Sequence, residues 1–254
     1  MTAEFDPEPV LAETAHRPIA LPAGPWLGQQ QWLDVLFAHW RVDAAKLSAH
    51  VPAPLALELA DGAAWLGVVP FQLQGLRVRS LPGVPGATDF LELNVRTYVS
   101  HAGVPGVYFF SLDAASVVAV LGARTFFGLP YHRASMRREV RDGWTEYRSV
   151  RSKAPAVRFA ARYRAEGDVC TATPGTLDHF LVERYCLFTV RRGGVTRVEI
   201  QHPPWRLRRA RAEIGENGMA RPLGLELGTA PDLLHHAAYQ PVLTWAAARQ
   251  PERG

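Results

Sequence analysis

Lysine is almost missing from this chain: of its 28 basic residues only Lys46 and Lys153 are lysines, and the rest are arginines. Chemistry that needs an amine able to lose its proton, such as imine formation, is confined to those two side chains, because a guanidinium stays charged. Cysteine is equally scarce. Cys170 and Cys186 show no CxxC or other metal spacing and are too few for a disulfide framework, so both are expected to be reduced and buried. The N-terminus has no basic region followed by an apolar run; Glu4, Asp6, Pro7, Glu8 and Pro9 crowd there instead, and no secretory signal is read. The most apolar stretch, Val104 to Ala123, is broken by Asp113 and by turn residues, which argues against a membrane span. A cytoplasmic protein without a membrane partner is the expectation.

What is present is a chain of 254 residues, 48% hydrophobic and 20% charged, long enough to bury a substantial core. Its 21 glycines and 20 prolines are scattered rather than gathered in a tract, which favours many short strands and turns over a helix bundle. The net charge of +4 is a modest excess that reads as surface solvation. Arg206, Arg208, Arg209 and Arg211 cluster, as do Arg137, Arg138 and Arg141, but neither group has a nucleic-acid motif or interleaved exposed aromatics, so no nucleic-acid partner is expected. His202, His235 and His236 lack the spacing and acidic companions of a metal site, and no metal or other cofactor is expected.

Residues 1–28 lack periodicity and read as a flexible N-terminal arm, with a single domain over 29–248. Leu33 to Trp40 reads as a strand or a short helix, followed by a helical turn with Asp43 as its N-cap. Trp65–Phe71, Leu93–Val99 and Val107–Leu112 read as strands. Asp113 is then the expected N-cap of a helix over Ala114–Phe127, ended by Gly128 and Pro130. Strands follow at Ser135–Val140 and Trp144–Arg151, joined by an Asp142-Gly143 turn, and at Val157–Ala165. A short helix over Thr176–Glu183, a hairpin over Tyr185–Gln201, a segment from Trp205 to Ile214 and an apolar tail over Leu233–Trp245 complete the chain.

Four segments taken together resemble a known family: LFAHW (Leu36 to Trp40), GVVPF (Gly67 to Phe71), FLELN through PYHR (Phe90 to Arg133) and HFLVERYCLF (His179 to Phe188). Over roughly residues 30 to 245 the chain is similar to the YqjF-like family, domain of unknown function 2071, in the acetoacetate decarboxylase-like superfamily. The resemblance implies a mixed, mainly β fold, an antiparallel β-barrel with a deep cavity and a few flanking helices. Relatives with this fold commonly assemble, so a homo-oligomer is a further expectation. In the decarboxylases a helix ends in Gly-Phe-Pro-Lys-Lys, the first lysine forming the imine. Here the matching stretch is Gly128-Leu129-Pro130-Tyr131-His132, so Tyr131 stands in the place of that lysine, His132 in the place of its neighbour, and Glu92 is matched to the family's acid. The resemblance therefore implies a barrel without imine-based decarboxylation.

Glu92, Asn94, Arg96 and Tyr98 recur at every second position of one strand and so share a face. Two readings stand: the face lines the cavity, or it meets solvent and Glu92 pairs with Arg96. Likewise, His132 beside Glu92 would serve as an acid or base, with Tyr131 donating to a carbonyl and Arg96 or Arg133 holding an anionic group; alternatively Tyr131 and His132 fill the space left by two lysines. His39 would add a polar group to the same cavity, or pack in the core with Trp40. The partner implied is a small organic molecule carrying a carbonyl or a carboxylate. The residues leave open an enzyme, such as a non-imine lyase or isomerase, a non-catalytic sensor or carrier, and a structural interaction protein.

Overall fold

A computed structural model describes residues 5–83, 86, 88–116, 128–154, 156–191 and 194–251. Most of the helix expected before Gly128 falls on 117–127 and lies outside the described residues. The described chain forms thirteen strands: β1 (Gly28–Val42), β2 (Ala56–Leu57), β3 (Ala64–Val78), β4 (Phe90–His101), β5 (Val104–Ala114), β6 (Tyr131–Arg141), β7 (Trp144–Arg151), β8 (Arg158–Cys170), β9 (Cys186–Arg191), β10 (Gly194–Gln201), β11 (Leu207–Asn217), β12 (Leu233–Thr244) and β13 (Ala248–Arg249). Three short α-helices accompany them: α1 (Glu8–Ala12), α2 (Ala44–Ser48) and α3 (Leu177–Val182).

All thirteen strands belong to one sheet, ordered β13-β10-β9-β5-β6-β7-β8-β11-β12-β1-β3-β4-β2, and two extra pairings, β4 with β5 and β10 with β12, fold it back on itself. The pairing is largely antiparallel, but β5 runs parallel to both β6 and β9, which corrects the expectation of a purely antiparallel sheet. Folding covers both faces of β1, β3 and β4. Leu36, Leu66 and Val95 point into one core with Tyr147, Phe159 and Tyr163. Phe37, Phe71 and Tyr98 point into a second core with Val107, Leu181 and Trp205. A strand buried on both sides has no wet face to encode, which is why VLFAHW and WLGVVPF read as nearly unbroken apolar runs. The ambiguity over Leu33 to Trp40 resolves as strand for that reason.

Local chemistry places the turns as read. Asp43 Oδ1 accepts from the Lys46 amide at 2.9 Å and starts α2. Asp142 and Gly143, at φ 50° and 74°, supply the two positive dihedrals that a tight hairpin between β6 and β7 requires. Alternation in β8 holds: Phe159 and Tyr163 are buried while Arg158 and Arg162 are exposed.

Two expectations are corrected. Asp113 is not a helix cap: β5 continues through Ala114, and the buried Asp113 carboxylate accepts from Arg151 Nε and Nη2 at 3.0 and 2.7 Å. With both Arg151 nitrogens on one of its oxygens, the Asp113 side chain is engaged across the sheet rather than turned back on its own backbone as a cap. Nor is the described part of the first 28 residues a loose arm. Phe5 and Val10 are buried against Leu243 and Trp245, and Gln201 donates to the Val10 and Glu13 carbonyls at 2.9 and 2.7 Å. The acidic and proline-rich composition hid those two anchors.

Candidate functional site

The second core is not filled. A cavity of about 420 Å³ opens within it, between β1, β3 and β4 on one side and β5, β9 and β10 on the other. That size suits a small organic molecule. Glu92, Asn94 and Arg96 line it together, each under 10% exposed, as their shared strand face requires. Tyr131 starts β6, which pairs in parallel with the end of β5, Leu112 opposite Tyr131. Leu112 in turn lies opposite Asn94, so Tyr131 is two strands from β4 and its hydroxyl reaches across to donate to Glu92 Oε2 at 2.8 Å.

Burial pushes the Glu92 carboxyl up to about 7; the Tyr131 hydrogen bond pulls it down only in part, and the nearby Asp113 adds to the rise. The Tyr131 phenol is held well above its usual range by burial and by the Glu92 charge. Glu92 therefore exchanges a proton near neutral pH while Tyr131 stays a donor. Asn94 Oδ1 has no hydrogen-bond partner.

Arg96 lies deeper. Its Nη2 donates to the Leu181 carbonyl at 3.0 Å, and the guanidinium rests over the Phe37 and Tyr98 rings at 5.2 and 5.7 Å, but its Nε has no partner. Among the described residues no carboxylate pairs with it, whereas Arg151 meets Asp113 at 2.7 Å and Arg184 meets Glu58 at 2.5 Å. A buried cation without a counter-ion is costly and is a ready receptor for an anion.

Not every candidate joins the cavity. Alternation along β6 turns His132 away from Tyr131, to the side on which Met136 packs against the first core, and it does not line the cavity. Arg133 is exposed and also outside the lining. His39 is fully buried one layer behind, stacked on Phe37, with Nε2 2.6 Å from the Tyr98 hydroxyl. Since Tyr98 donates to the Leu181 carbonyl at 2.8 Å, His39 Nε2–H is the donor to Tyr98. Burial holds His39 well below its usual range, with Arg96 and His235 acting in the same direction, so it is a neutral support for Arg96 and Tyr98.

The sequence reading missed the aromatic wall. Trp32 and Trp205 stack at 5.9 Å, Phe37 meets Trp205 edge-on at 4.8 Å, and both indole Nε1 groups lack a partner. Arg184, just after α3, also lines the cavity, over the Phe180 ring at 4.3 Å. These groups come from segments distant in sequence and carry no shared periodicity. No cluster of three or more His, Cys, Asp or Glu side chains among the described residues is arranged to hold a metal ion. No helix among them is long and apolar enough to cross a membrane.

A mainly β chain folded around such a cavity has the fold of acetoacetate decarboxylase-like proteins. The acetoacetate decarboxylase of Legionella pneumophila superposes with a TM-score of 0.62 at 13% identity, covering 95% of each chain. The enduracididine biosynthesis enzyme MppR, complexed with pyruvate, superposes with a TM-score of 0.58 at 14% identity, covering 91% of this chain and 93% of that one. Within this fold class the sequence is more specific: residues 29–241 match the model of domain of unknown function 2071, described as an uncharacterised conserved protein. The uncharacterised protein YqjF of Bacillus subtilis (strain 168) is 47% identical over 227 residues, 89% of this chain and 94% of its own length. The chain belongs to that family.

Proposed function

We propose that this chain is an acetoacetate decarboxylase-like β-barrel that binds a small organic acid without forming an imine. The ligand carboxylate sits on Arg96, and a carbonyl or hydroxyl oxygen accepts from Tyr131 beside Glu92. The observation that carries the reading is the buried, unpaired Arg96 guanidinium on the same strand face as a carboxyl group raised to about 7. An anion at Arg96 supplies the missing counter-charge, and Asn94 Oδ1 offers an acceptor between the two ends. Tyr131 occupies the place that the family resemblance gives to the imine lysine, and both lysines, Lys46 and Lys153, are exposed and outside the lining.

If the ligand turns over, the geometry supports proton transfer at a carbon next to the polarised carbonyl, with Glu92 taking or returning the proton. Binding without turnover, as in a sensor or carrier, is the second reading. It is favoured by the place of His132 on the opposite face of β6, away from the Tyr131 hydroxyl and Glu92, where it cannot relay a proton between them and a ligand.

Three readouts test this. Borohydride treatment with acetoacetate or pyruvate should leave the protein mass unchanged, and a reduced adduct on either lysine overturns the non-imine reading. Quenching of tryptophan fluorescence should report binding of short carboxylates and should be lost in Arg96→Met. Deuterium exchange next to the carbonyl of a bound oxo acid, absent in Glu92→Gln, separates turnover from carriage.

A further inference from the structure

The cavity is elongated, and its polarity is graded along its length. Across the β3–β4 pairing Arg96 lies opposite Gly67, Asn94 opposite Val69, Glu92 opposite Phe71 and Phe90 opposite Leu73. The wall then continues along β3 without β4, through Leu76 and Val78, to Leu81 and Pro82. At ~3.3 Å per residue the step from Gly67 to Phe71 spans roughly 13 Å and that from Phe71 to Val78 at most roughly 23 Å. Arg96, Asn94 and Glu92 fall in the first span. The second is walled by Leu73, Leu76, Val78, Leu81 and Phe90, with polar Gln30, Arg77 and Thr244 toward its outer end.

Exposure follows the same axis. Leu73 is 3% exposed, Val78 43% and Leu81 58%, and Leu27, opposite them, is 36% exposed. The register Gly28 to Val78 and Gly28 to Thr244 brings these residues to one end of β1, β3 and β12, and the Arg79 amide donates to the Leu27 carbonyl at 2.7 Å to fix that rim. At the far end, buried Val182 and Arg184 line the cavity. Scattered exposed leucines and valines need no explanation, but three at the mouth of an apolar passage form a continuous track.

From this gradient we infer that the ligand is amphipathic and extended: an acid whose carboxylate reaches Arg96, whose second oxygen lies at Tyr131, and whose apolar tail runs past Phe90 and Leu73 toward the mouth at Leu76 and Val78. The inference rests on the proposed binding of an organic acid and adds the tail. Arg96 selects the charge, Tyr131 the oxygen, and the outer passage the chain length.

The test is a series of straight-chain saturated carboxylates from butanoate to octadecanoate, each below its micelle concentration, titrated against tryptophan fluorescence, to which Trp32 and Trp205 in the wall respond. A dodecanoate tail ends near Glu92, so affinity should climb by about fourfold per added CH₂ beyond that length, while the tail passes Phe90 and Leu73. In Leu73→Asn and Phe90→Asn, which place an amide where the longer tails pass Glu92, the ratio of octadecanoate to dodecanoate affinity should drop at least about tenfold. A flat series overturns the inference, as does a chain-length gain that both variants leave intact, since that gain would come from binding elsewhere. Butanoate binding that persists in Arg96→Met instead overturns the organic-acid reading itself.

Discussion

Two carboxyl groups near the middle of the same folded sheet have opposite fates. Asp34 lies in an irregular stretch of β1, at φ 52°, and its side chain accepts from Arg138 Nε and Thr145 Oγ1 at 2.8 Å each and meets His236 Nε2 at 2.7 Å. Burial alone would raise its carboxyl, but those donors and the Arg138 charge outweigh it and hold the group at about 2. Glu92, on the cavity side of β4, has one side-chain donor among the described residues, Tyr131, and burial prevails, to about 7. The lesson is that burial does not decide a carboxylate's state; the supply of donors does. A fully partnered group braces the fold, and a poorly partnered one on the wall of a cavity keeps its proton to near neutral pH.

Breaking the braced side should cost most. Asp34→Ala strands the Arg138, Thr145 and His236 donors and puts a residue that disfavours it at positive φ, so stability should fall by about 4 kcal/mol in urea unfolding. Asp34→Asn, which tolerates that φ, isolates the charge. The folded carboxyl at about 2 lies below the unfolded 3.8, so its contribution is present above pH 3.8 and is lost as the pH falls through about 2. The variant should therefore lack that part of the acid limb of the stability profile.

Glu92 should behave in the reverse sense. Its folded value of about 7 exceeds the ordinary 4.5, so the folded chain keeps a proton that the unfolded chain releases, and stability falls as the pH rises from 4.5 to 7. Glu92→Gln should remove that slope and gain on the order of 3 kcal/mol at pH 8, with thermal unfolding at several pH values as the check. Removing the Tyr131 hydroxyl is a smaller change: Tyr131→Phe should cost about 1 kcal/mol and move the Glu92 carboxyl further up. The smallest effect on the fold belongs to Arg96→Met, expected to stay within about 1 kcal/mol of the parent because no ion pair is broken, even as anion binding is lost.

Much of this was legible where short-range chemistry governs. Strand alternation brought Glu92, Asn94 and Arg96 to one face, and the Asp43 cap and the Asp142-Gly143 hairpin follow from side-chain size and φ. Long-range partners were not. His132 looked adjacent to Tyr131 in sequence, but a strand sends neighbours to opposite faces. The Asp34 donors come from residues 138, 145 and 236, and the aromatic wall joins Trp32 to Trp205; no local pattern records such meetings.

A carbon-13 NMR titration of side-chain carboxyls in labelled protein, with Glu92→Gln and Asp34→Asn to assign the signals, tests the contrast most directly. Glu92 should titrate near 7 while Asp34 remains ionised from pH 8 down to 4. Both carboxyls titrating together in the ordinary range near 4 would contradict the account.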